Sequence, residues 1–265
     1  MAIEPVTESV SMQPPKVVPL RADISASHLK ELLGAISSFT DEAKLQILPS
    51  GVEVLTVDPA HVAMSLVSVP RKAFKRYRAS ETSIALDVKV FKRFLRLATG
   101  NQTVNLKFEL ARHCLTVGTA EVFQRMTWND PMSLADAKMP KLKLPVTVTL
   151  VPGKLLAALS VMQGVSDHVA LEVKRGKFTV TANGAEHGYI RHIPPGIVLE
   201  FEDGVKSARS LIPLDYLRAA IAPMPQNQPV TIRLGTDYPV QFDYRIMGGK
   251  AKVTAFIAPR IESGE

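Results

Sequence analysis

The stretch 87–98, DVKVFKRFLRLA, carries the residue types best suited to bind an anion. Four cations fall at i, i+3, i+4 and i+7, so they share one side of a helix: Lys89, Lys92, Arg93 and Arg96. Apolar residues fall on the other side: Val88, Phe91, Phe94, Leu95 and Ala98. Asp87 is the expected N-cap and Thr99–Gly100 the expected stop. The pattern predicts a two-sided helix of about three turns.

An ordinary surface helix kept in solution by its charges is the alternative to a binding helix. Such a helix usually mixes acids with bases, because each i,i+4 ion pair stabilises it by a few tenths of a kcal/mol. The segment from Val88 to Ala98 has no acid. It therefore forgoes those pairs, and the cationic side favours an anionic partner.

The composition narrows the class of protein. The 265 residues include 32 Lys and Arg against 25 Asp and Glu, a net charge of +7 that favours nucleic acid or an acidic protein as partner. A lone Cys114 excludes an intramolecular disulfide and a thiolate metal site. The sequence has no apolar run that would span a bilayer and no basic-then-apolar leader at Met1. We expect a soluble, non-secreted chain in a reducing compartment.

A unit of one helix and several short strands repeats along the chain. The predicted helices start near residues 26, 88, 153 and 213. The text GNQTVNLKF after the second helix is echoed by QNQPVTIRL after the fourth. The pattern predicts an α+β fold of two similar domains, each made of two helix-plus-antiparallel-strand units. The expected boundaries are a flexible extension at 1–19, an N-terminal domain at 20–128, a connector at 129–145 and a C-terminal domain at 146–265.

A second basic cluster, the basic segment, is Arg71 to Arg78, RKAFKRYR. It lies beside predicted strands. Two interpretations of this segment are equally compatible with its sequence: a binding role, or a charged outer loop or edge strand whose charges resist aggregation.

The residue groups that would indicate catalysis are missing from the sequence. It has no phosphate-binding glycine loop, no nucleophile elbow and no zinc-binding HExxH helix. Asp58 and His61 are a conceivable acid–base pair, but a turn-capping Asp is the simpler interpretation. We therefore predict no catalytic residue, no metal site and no cofactor.

Several segments stand in a recognisable order along the chain, together with the pairing of Gly51 with the strand before it. The segments are VDPAHVAM (57–64), VSDHVALEV (165–173), IPLDYLRAAI (212–221), DYPVQFDYRI (237–246) and FIAPRIE (256–262). In this order, from about Leu20 to Glu262, the chain resembles one family, proliferating cell nuclear antigen (PCNA), the sliding clamp of archaeal and eukaryotic DNA replication. The short tail without a long acidic terminus looks more archaeal.

The resemblance implies the DNA clamp fold, in which three subunits form a ring and helices line its channel. Binding to double-stranded DNA would then be independent of sequence, because Lys and Arg contact phosphates and not bases. The third helix has few cations, so the positive charge is concentrated in the N-terminal half. The implied DNA-binding residues are Lys30, Lys89, Lys92, Arg93, Arg96, Lys154 and Arg218.

The resemblance also implies an apolar pocket that takes a short peptide motif from the clamp loader, DNA polymerase, flap endonuclease and DNA ligase. Core packing is the alternative for each residue. Pro239 and Pro259 favour the pocket, since a proline suggests an exposed edge. The implied residues are Val57, Val62, Met64, Leu142, Leu144, Pro145, Pro239, Phe256, Ala258, Pro259 and Ile261.

Subunit contacts in the family join edge strands, which are expected here at about 113–121 of one chain and 176–185 of the next. Edges guarded by loops are the alternative. The expected contact residues are His113, Leu115, Val117 and Thr119 on one side, and Lys177, Phe178, Val180 and Ala182 on the other.

The basic charge departs from the family, whose members are usually acidic outside the channel. A homotrimer and a heterotrimer with acidic sister subunits both remain open. The expected function is that of a DNA polymerase sliding clamp subunit, a processivity factor for replication and DNA repair. The alternatives are a checkpoint-type clamp subunit and a basic DNA-binding scaffold that closes no ring. The expected location is the cytoplasm at the nucleoid, or the nucleus if the source is eukaryotic, with no membrane partner.

Overall fold

The structure, a computed structural model, describes residues 20–109, 112–134, 137–193 and 198–260. The predicted extension 1–19 and Ile261 lie outside the described residues. The first half contains β1 (Leu20–Ser25), α1 (Ala26–Ile36), β2 (Glu42–Leu48), β3 (Gly51–Val57), β4 (Ala63–Pro70), β5 (Arg76–Ala79), β6 (Thr82–Asp87), α2 (Val88–Phe94), β7 (Thr103–Glu109), β8 (Cys114–Gly118) and β9 (Phe123–Thr127).

The second half repeats this order. It contains β10 (Val146–Leu150), α3 (Pro152–Met162), β11 (His168–Lys174), β12 (Lys177–Asn183), β13 (Gly188–His192), β14 (Val198–Phe201), β15 (Ser207–Pro213), α4 (Leu214–Ile221), β16 (Val230–Leu234), β17 (Val240–Ile246) and β18 (Ala251–Ile257). Each helix starts within one residue of its predicted start. A strand precedes each helix and at least three strands follow it, so the fourfold unit is confirmed.

The second helix is shorter than predicted. It ends at Phe94, because the backbone tightens into i→i−3 hydrogen bonds from Arg96 N to Arg93 O (3.3 Å) and from Leu97 N to Phe94 O (3.1 Å). The three-turn prediction is therefore wrong, and Arg96 lies in the turn that follows the helix.

The strands form three antiparallel sheets. Nine strands follow the order β14-β10-β16-β17-β18-β4-β3-β2-β6, in which the pairing of β18 with β4 joins the two halves of the chain. Five strands follow the order β5-β1-β7-β8-β9, and four follow β13-β12-β11-β15. Each half thus supplies one set of five strands and one of four, and β9 and β4 of the first half correspond to β18 and β13 of the second.

Only one face of these sheets is well buried. On β3, Val52 and Val54 are buried while Glu53 between them is exposed, and β4 alternates in the same way. The buried side chains join those of all four helices in one core. The helices therefore form a layer on that face, and the opposite face, called the outer face below, is turned to solvent.

Both strands predicted for subunit contacts are interior strands. β8 pairs with β7 and β9, and β12 pairs with β11 and β13. The core-facing members of the predicted set are buried: Leu115, Val117, Phe178, Val180 and Ala182. His113 and Thr119 lie in the turns at either end of β8, and Lys177 begins β12. The prediction of these two edges is wrong, because the true edges are the next strands along, β9 and β13.

The connector contains little regular structure. Within its described residues it has one short 3₁₀ turn, Pro131–Ser133, and a single bridge in which Asn129 N donates to Ala85 O at 3.0 Å. Strand β5 is an outermost strand of the five-stranded sheet. The edge-strand interpretation of the basic segment is therefore confirmed for Arg76 to Arg78.

Candidate functional site

The two-sided character of α2 is confirmed by the exposure of its side chains. The four cations Lys89, Lys92, Arg93 and Arg96 are exposed. The five apolar residues are each at most 3% exposed: Val88, Phe91, Phe94, Leu95 and Ala98. Asp87 caps the helix, with its Oδ1 accepting from Val90 N at 3.0 Å. The cations thus lie on the side of the helix layer that faces away from the sheets.

Neighbouring helices in each half are linked through cations that were predicted to bind DNA. Lys92 Nζ on α2 donates to Ser37 Oγ at the end of α1 (2.9 Å), and Lys30 Nζ on α1 donates to Ala98 O after α2 (2.6 Å). In the second half, Arg218 Nη1 on α4 donates to Gln163 Oε1 at the end of α3. These cations therefore lie along the seams between adjacent helices.

One cation of α2 has an acidic partner that the sequence did not reveal. Lys89 Nζ lies 2.6 Å from Asp41 Oδ2 in the loop after α1. The hydrogen bond to Asp41, together with its charge, raises the pKa of Lys89, so the ammonium remains charged at neutral pH. Asp41 offsets part of the charge at this end of the helix, and the positive field is centred on Lys92, Arg93 and Arg96.

The third helix contributes less charge, as predicted. Lys154 is exposed near the start of α3, and the rest of this helix has no Lys or Arg. With Arg218 half-buried on α4, the helix layer is more positive over the N-terminal half than over the C-terminal half.

Six residues of the predicted apolar pocket lie at one end of four adjoining strands. Val57 of β3 is directly opposite Met64 of β4, which is opposite Phe256 of β18. Ala258 N donates to Val62 O at 2.7 Å. Pro239 comes directly before Val240, whose partner in β18 is Ile257. The fold thus brings together residues up to about 200 positions apart, with Phe256 5% exposed as the floor.

The end of the connector approaches the same patch from the side of the β16–β17 turn. A methyl group built on Gly235 would lie 3.5 Å from Leu144 Cδ2 and 3.2 Å from Tyr238 Cβ, so these two side chains flank Gly235. Leu144 is buried, and Leu142, Pro145 and Pro259 are half-buried. Tyr238 is 53% exposed and was missed, although an aromatic residue beside a proline in a turn is a recognisable signal for a binding anchor.

A cleft of about 640 Å³ on the outer face extends the patch beneath the start of the connector. Val57, Leu55 and Leu66 form its sheet side, and Leu134 and Ala137 of the connector lie across from them. Leu55, Leu66 and Leu134 were not predicted as binding residues, because their contact depends on where the connector crosses the sheet.

The inference that Pro239 and Pro259 mark an exposed edge is wrong. They lie just before β17 and just after β18, which are interior strands. The prolines end the hydrogen-bond ladder at this point, which leaves the ends of the strands free of further pairing.

Asp58 caps the turn between β3 and β4, as the simpler interpretation predicted. Its Oδ1 accepts from Ala63 N (2.6 Å) and its Oδ2 from Ala60 N (2.9 Å) and the hydroxyl of Tyr216 on α4 (2.6 Å). Burial acts to raise the pKa of Asp58, but these hydrogen bonds outweigh it and hold the pKa below its ordinary 3.8. Tyr216 therefore ties the rim of the apolar patch to the C-terminal half of the chain.

Removing the Tyr216 hydroxyl tests this link. Tyr216→Phe keeps the ring contact with Phe39 but takes a donor from a carboxylate, so the free energy of unfolding at pH 7 should fall by about 1–2 kcal/mol. A carboxyl group whose pKa is lower in the folded state than in the unfolded state stabilises the fold at pH values above its unfolded pKa. That contribution to the free energy of unfolding is lost as the pH falls through the folded pKa. The difference between variant and parent should therefore shrink as the pH falls below the ordinary pKa of 3.8.

Urea unfolding at pH 7 and at low pH measures both values. Tyr238→Phe is the matched control, because its ring is exposed, and it should change stability by less than about 0.5 kcal/mol. An equal loss for Tyr216→Phe at both pH values would contradict the role assigned to Asp58.

Two kinds of feature are absent from the described residues. No three or more His, Cys, Asp or Glu side chains in these ranges are grouped so as to hold a metal ion. No helix in the described part of the chain has the length and apolar character to cross a bilayer.

Comparisons with known proteins agree with this geometry. A model of the N-terminal domain of proliferating cell nuclear antigen matches residues 21–138. The DNA polymerase sliding clamps of Methanosarcina barkeri and Methanocella arvoryzae are 31% and 33% identical over 244 residues, covering 92% of this chain and 99% of each relative. The solved structure of A. fulgidus PCNA bound to the C-terminal region of FEN-1 superposes with a TM-score of 0.83 at 28% identity, covering 92% of this chain and 100% of the other.

A fourfold helix-and-strand unit with cations on the exposed side of its helices is the architecture of a DNA clamp subunit, and the superposition confirms that fold. The chain belongs to the PCNA family of DNA polymerase sliding clamps. Members of this family are non-enzymatic processivity factors of DNA replication.

Proposed function

We propose that three copies of this chain close into a ring around duplex DNA. The single observation that carries the proposal is the pairing of β18 with β4 inside the chain. The corresponding strands, β9 and β13, are outermost strands of their own sheets. Pairing β9 of one copy with β13 of the next repeats the internal joint between copies and satisfies backbone groups that are otherwise open.

The register of the internal joint identifies the residues that would meet. Arg21 in the first half and Thr147 in the second each lie five residues before the first residue of a helix, so they hold equivalent positions. The residues that lie opposite them on successive strands are then equivalent as well. Followed to the last strand of each set, this places Arg125 of β9 at the position of Phe256 in β18. Phe123 then matches Thr254, whose partner in β4 is Leu66. Leu66 lies opposite Leu55, the fifth residue of β3. Ile190 lies opposite Thr181, the fifth residue of the corresponding strand β12. Leu66 and Ile190 therefore hold equivalent positions.

Phe123 of one copy is therefore placed opposite Ile190 of the next. These side chains are 69% and 63% exposed in the single chain, among the most exposed large apolar residues described. Their burial against each other supports the joint. Because both belong to this chain, it also supports a homotrimer over a heterotrimer.

The cations of the helix layer are the proposed DNA contacts. In a ring closed through β9 and β13, the helix layer lies on the inside, and the exposed heads of Lys30, Lys89, Lys92, Arg93, Arg96, Lys154 and Arg218 face the phosphates. Long flexible side chains without a base-reading groove support weak, sequence-independent contact, which allows the ring to slide.

The apolar patch is the proposed partner site. A relative in this family, the PCNA of A. fulgidus, binds the C-terminal region of FEN-1. We assign the same kind of ligand here: a short peptide with apolar and aromatic anchors from flap endonuclease, DNA polymerase, DNA ligase or the clamp loader. The patch beside Tyr238 and the cleft beneath the connector together supply room for such anchors.

A charge in the patch tests this assignment. Met64→Glu places a carboxylate between Val57 and Phe256 and should weaken binding of a FEN-1-type C-terminal peptide by at least about 30-fold, since anchor burial is worth about 2 kcal/mol or more. Calorimetric titration with the peptide measures the change. Ser68→Glu, on the same face of β4 but at its other end, should bind the peptide like the parent chain. Unchanged affinity in Met64→Glu would exclude the patch.

The remaining expectations are also proposals. The two corresponding sets of strands and the match of the N-terminal domain model support clamp domains at 20–128 and 146–265 with a connector at 129–145. We propose that the chain catalyses no reaction of its own and works on DNA at the nucleoid. A checkpoint-type subunit or a scaffold that closes no ring is not supported by any contact described above.

A further inference from the structure

The outer face of the five-stranded sheet carries a row of cations that follows from strand register. Arg21 of β1 lies directly opposite Arg78 of β5 on one side and Lys107 of β7 on the other. Lys107 lies opposite Thr116 of β8, and Thr116 opposite Arg125 of β9. The four cations are exposed, and at about 4.8 Å per strand they span about 19 Å. We call Arg78, Arg21, Lys107 and Arg125 the outer row.

Local acids neutralise only part of the outer row, since Glu109 is the acid that interacts with Lys107 and, through its charge, with Arg125. Lys107 Nζ pairs with Glu109 Oε1 at 2.6 Å, and this hydrogen bond holds the pKa of Glu109 below its ordinary value. Asp23, in the next row, is engaged by Arg76 and by Asn105 Nδ2. Among the described residues, no acid forms an ion pair with Arg21, Arg78 or Arg125.

Such a row is unfavourable for folding alone. Like charges directly opposite one another on a sheet are destabilising, by a few tenths of a kcal/mol or more. The corresponding row of the second half avoids this, since Thr147 there lies between Glu200 and Arg233, and Arg233 pairs with Asp243. The other sheet of the second half also mixes its charges, with Glu172 opposite Arg209.

We infer that the outer row is a second DNA-contacting surface, which binds the phosphate backbone of duplex DNA outside the channel. The row places no apolar anchor among its cations, whereas peptide recognition depends on buried anchors and single strands are held by aromatic stacking. Charge alone recognises a duplex backbone. A length of about 19 Å corresponds to between five and six phosphate spacings along one strand.

The outer row lies in one chain and exists without ring closure, but its test uses the closed ring proposed above to keep the duplex away from α2. The sheet and the helix layer separate the outer row from the cations of α2, so the duplex that the outer row contacts is a different segment from one in the channel. This surface gives the basic segment a role, since its strand β5 supplies Arg78. Lys75 of the same segment extends the positive area, and its Nζ donates to Thr103 Oγ1 at 2.7 Å.

The test uses a duplex that cannot enter a closed ring. A fluorescent duplex of about 20 base pairs carries streptavidin on biotin at both ends, and its binding to the full chain is followed by anisotropy against salt. Arg21→Gln/Arg78→Gln/Lys107→Gln should bind at least tenfold more weakly at about 0.1 M salt and flatten the log–log salt slope by up to about 2.7. All three side chains are exposed and their like charges oppose one another, so the variant should unfold at the parent's temperature or slightly above it.

Two further triple variants serve as controls. Lys174→Gln/Lys177→Gln/Lys206→Gln removes the same charge from exposed sites in the second half, and Lys92→Gln/Arg93→Gln/Arg96→Gln removes it from α2. The second-half variant should bind the end-blocked duplex like the parent. The α2 variant should do the same in the closed ring proposed above, because a duplex blocked at both ends cannot enter the channel that α2 lines. The inference is overturned if the outer-row variant binds as the parent does, if the second-half control loses as much affinity, or if a poly-glutamate peptide binds the outer row while the duplex does not. A loss of affinity in the α2 variant contradicts the closed ring and not the outer row.

Discussion

Phe123→Asp and Ile190→Asp should each leave the chain monomeric at micromolar concentration. Each change removes one of two apolar side chains that the internal register places face to face, a loss of about 1.5–3 kcal/mol, and puts a carboxylate in the joint. A closed ring of three copies has three identical joints, so the loss occurs three times. Light scattering after gel filtration measures the molar mass.

Met132→Asp is the matched control for this experiment. Met132 is 85% exposed on the connector, away from β9 and β13, so this variant should keep the parent's mass of three chains. If both joint variants stay trimeric, the contact between copies lies elsewhere. A parent chain that is monomeric alone but trimeric with sister subunits would replace the homotrimer with a heterotrimer.

Neutralising the centre of the helix layer should have the second large effect. Lys92→Gln/Arg93→Gln/Arg96→Gln removes three proposed phosphate contacts, each worth about 0.9 in the slope of log affinity against log salt. Affinity for an open-ended duplex should therefore fall by up to about 500-fold at about 0.1 M salt. Fluorescence anisotropy across a salt series gives both the affinity and the slope.

The charge-matched variant Lys174→Gln/Lys177→Gln/Lys206→Gln separates a local contact from the effect of net charge. It should keep the parent's affinity and slope for the open-ended duplex, because Lys174 and Lys177 lie on the outer side of the second half and Lys206 lies in the loop before β15, not on the helix layer. Equal losses in the two variants would mean that overall charge, and not the side of α2 turned from the sheets, attracts the DNA.

Local signals explain what the sequence predicted well. The start of α2 was predicted because Asp87 caps it and Phe91 and Phe94 recur at helical spacing, and both are consequences of neighbouring residues. The sidedness of α2 followed for the same reason. The end of α2 was misplaced, because a 3₁₀ turn preserves the apolar contacts of Leu95 and Ala98 without continuing the helix.

Strand order was the main error, and it has a physical cause. β8 and β9 are both short strands of alternating character, and alternation reports which face a side chain takes but not which strand is outermost. The core-facing Leu115 and Val117 drew attention to β8, whereas the exposed Phe123 of β9 is the better sign of an edge with a partner.

Contacts between distant parts of the chain were beyond local patterns. The pair of Lys89 with Asp41, the bond from Tyr216 to Asp58 and the approach of Leu144 to Tyr238 all depend on how elements pack. The outer row is of the same kind, since its four residues come from separate strands and become neighbours only through register.

The central claim is that the protein forms a ring that encircles duplex DNA. It is tested most directly by whether the protein is released when a circular plasmid is cut. The chain is loaded by its cognate clamp loader and ATP onto a nicked circular plasmid at about 0.2 M salt, where charge contacts alone are weak, and the plasmid is then linearised by a restriction enzyme. A ring that encircles DNA should stay on the circle and be released within minutes of cutting. Chain that remains bound to the linear plasmid, or that never stays on the circle, would contradict the account.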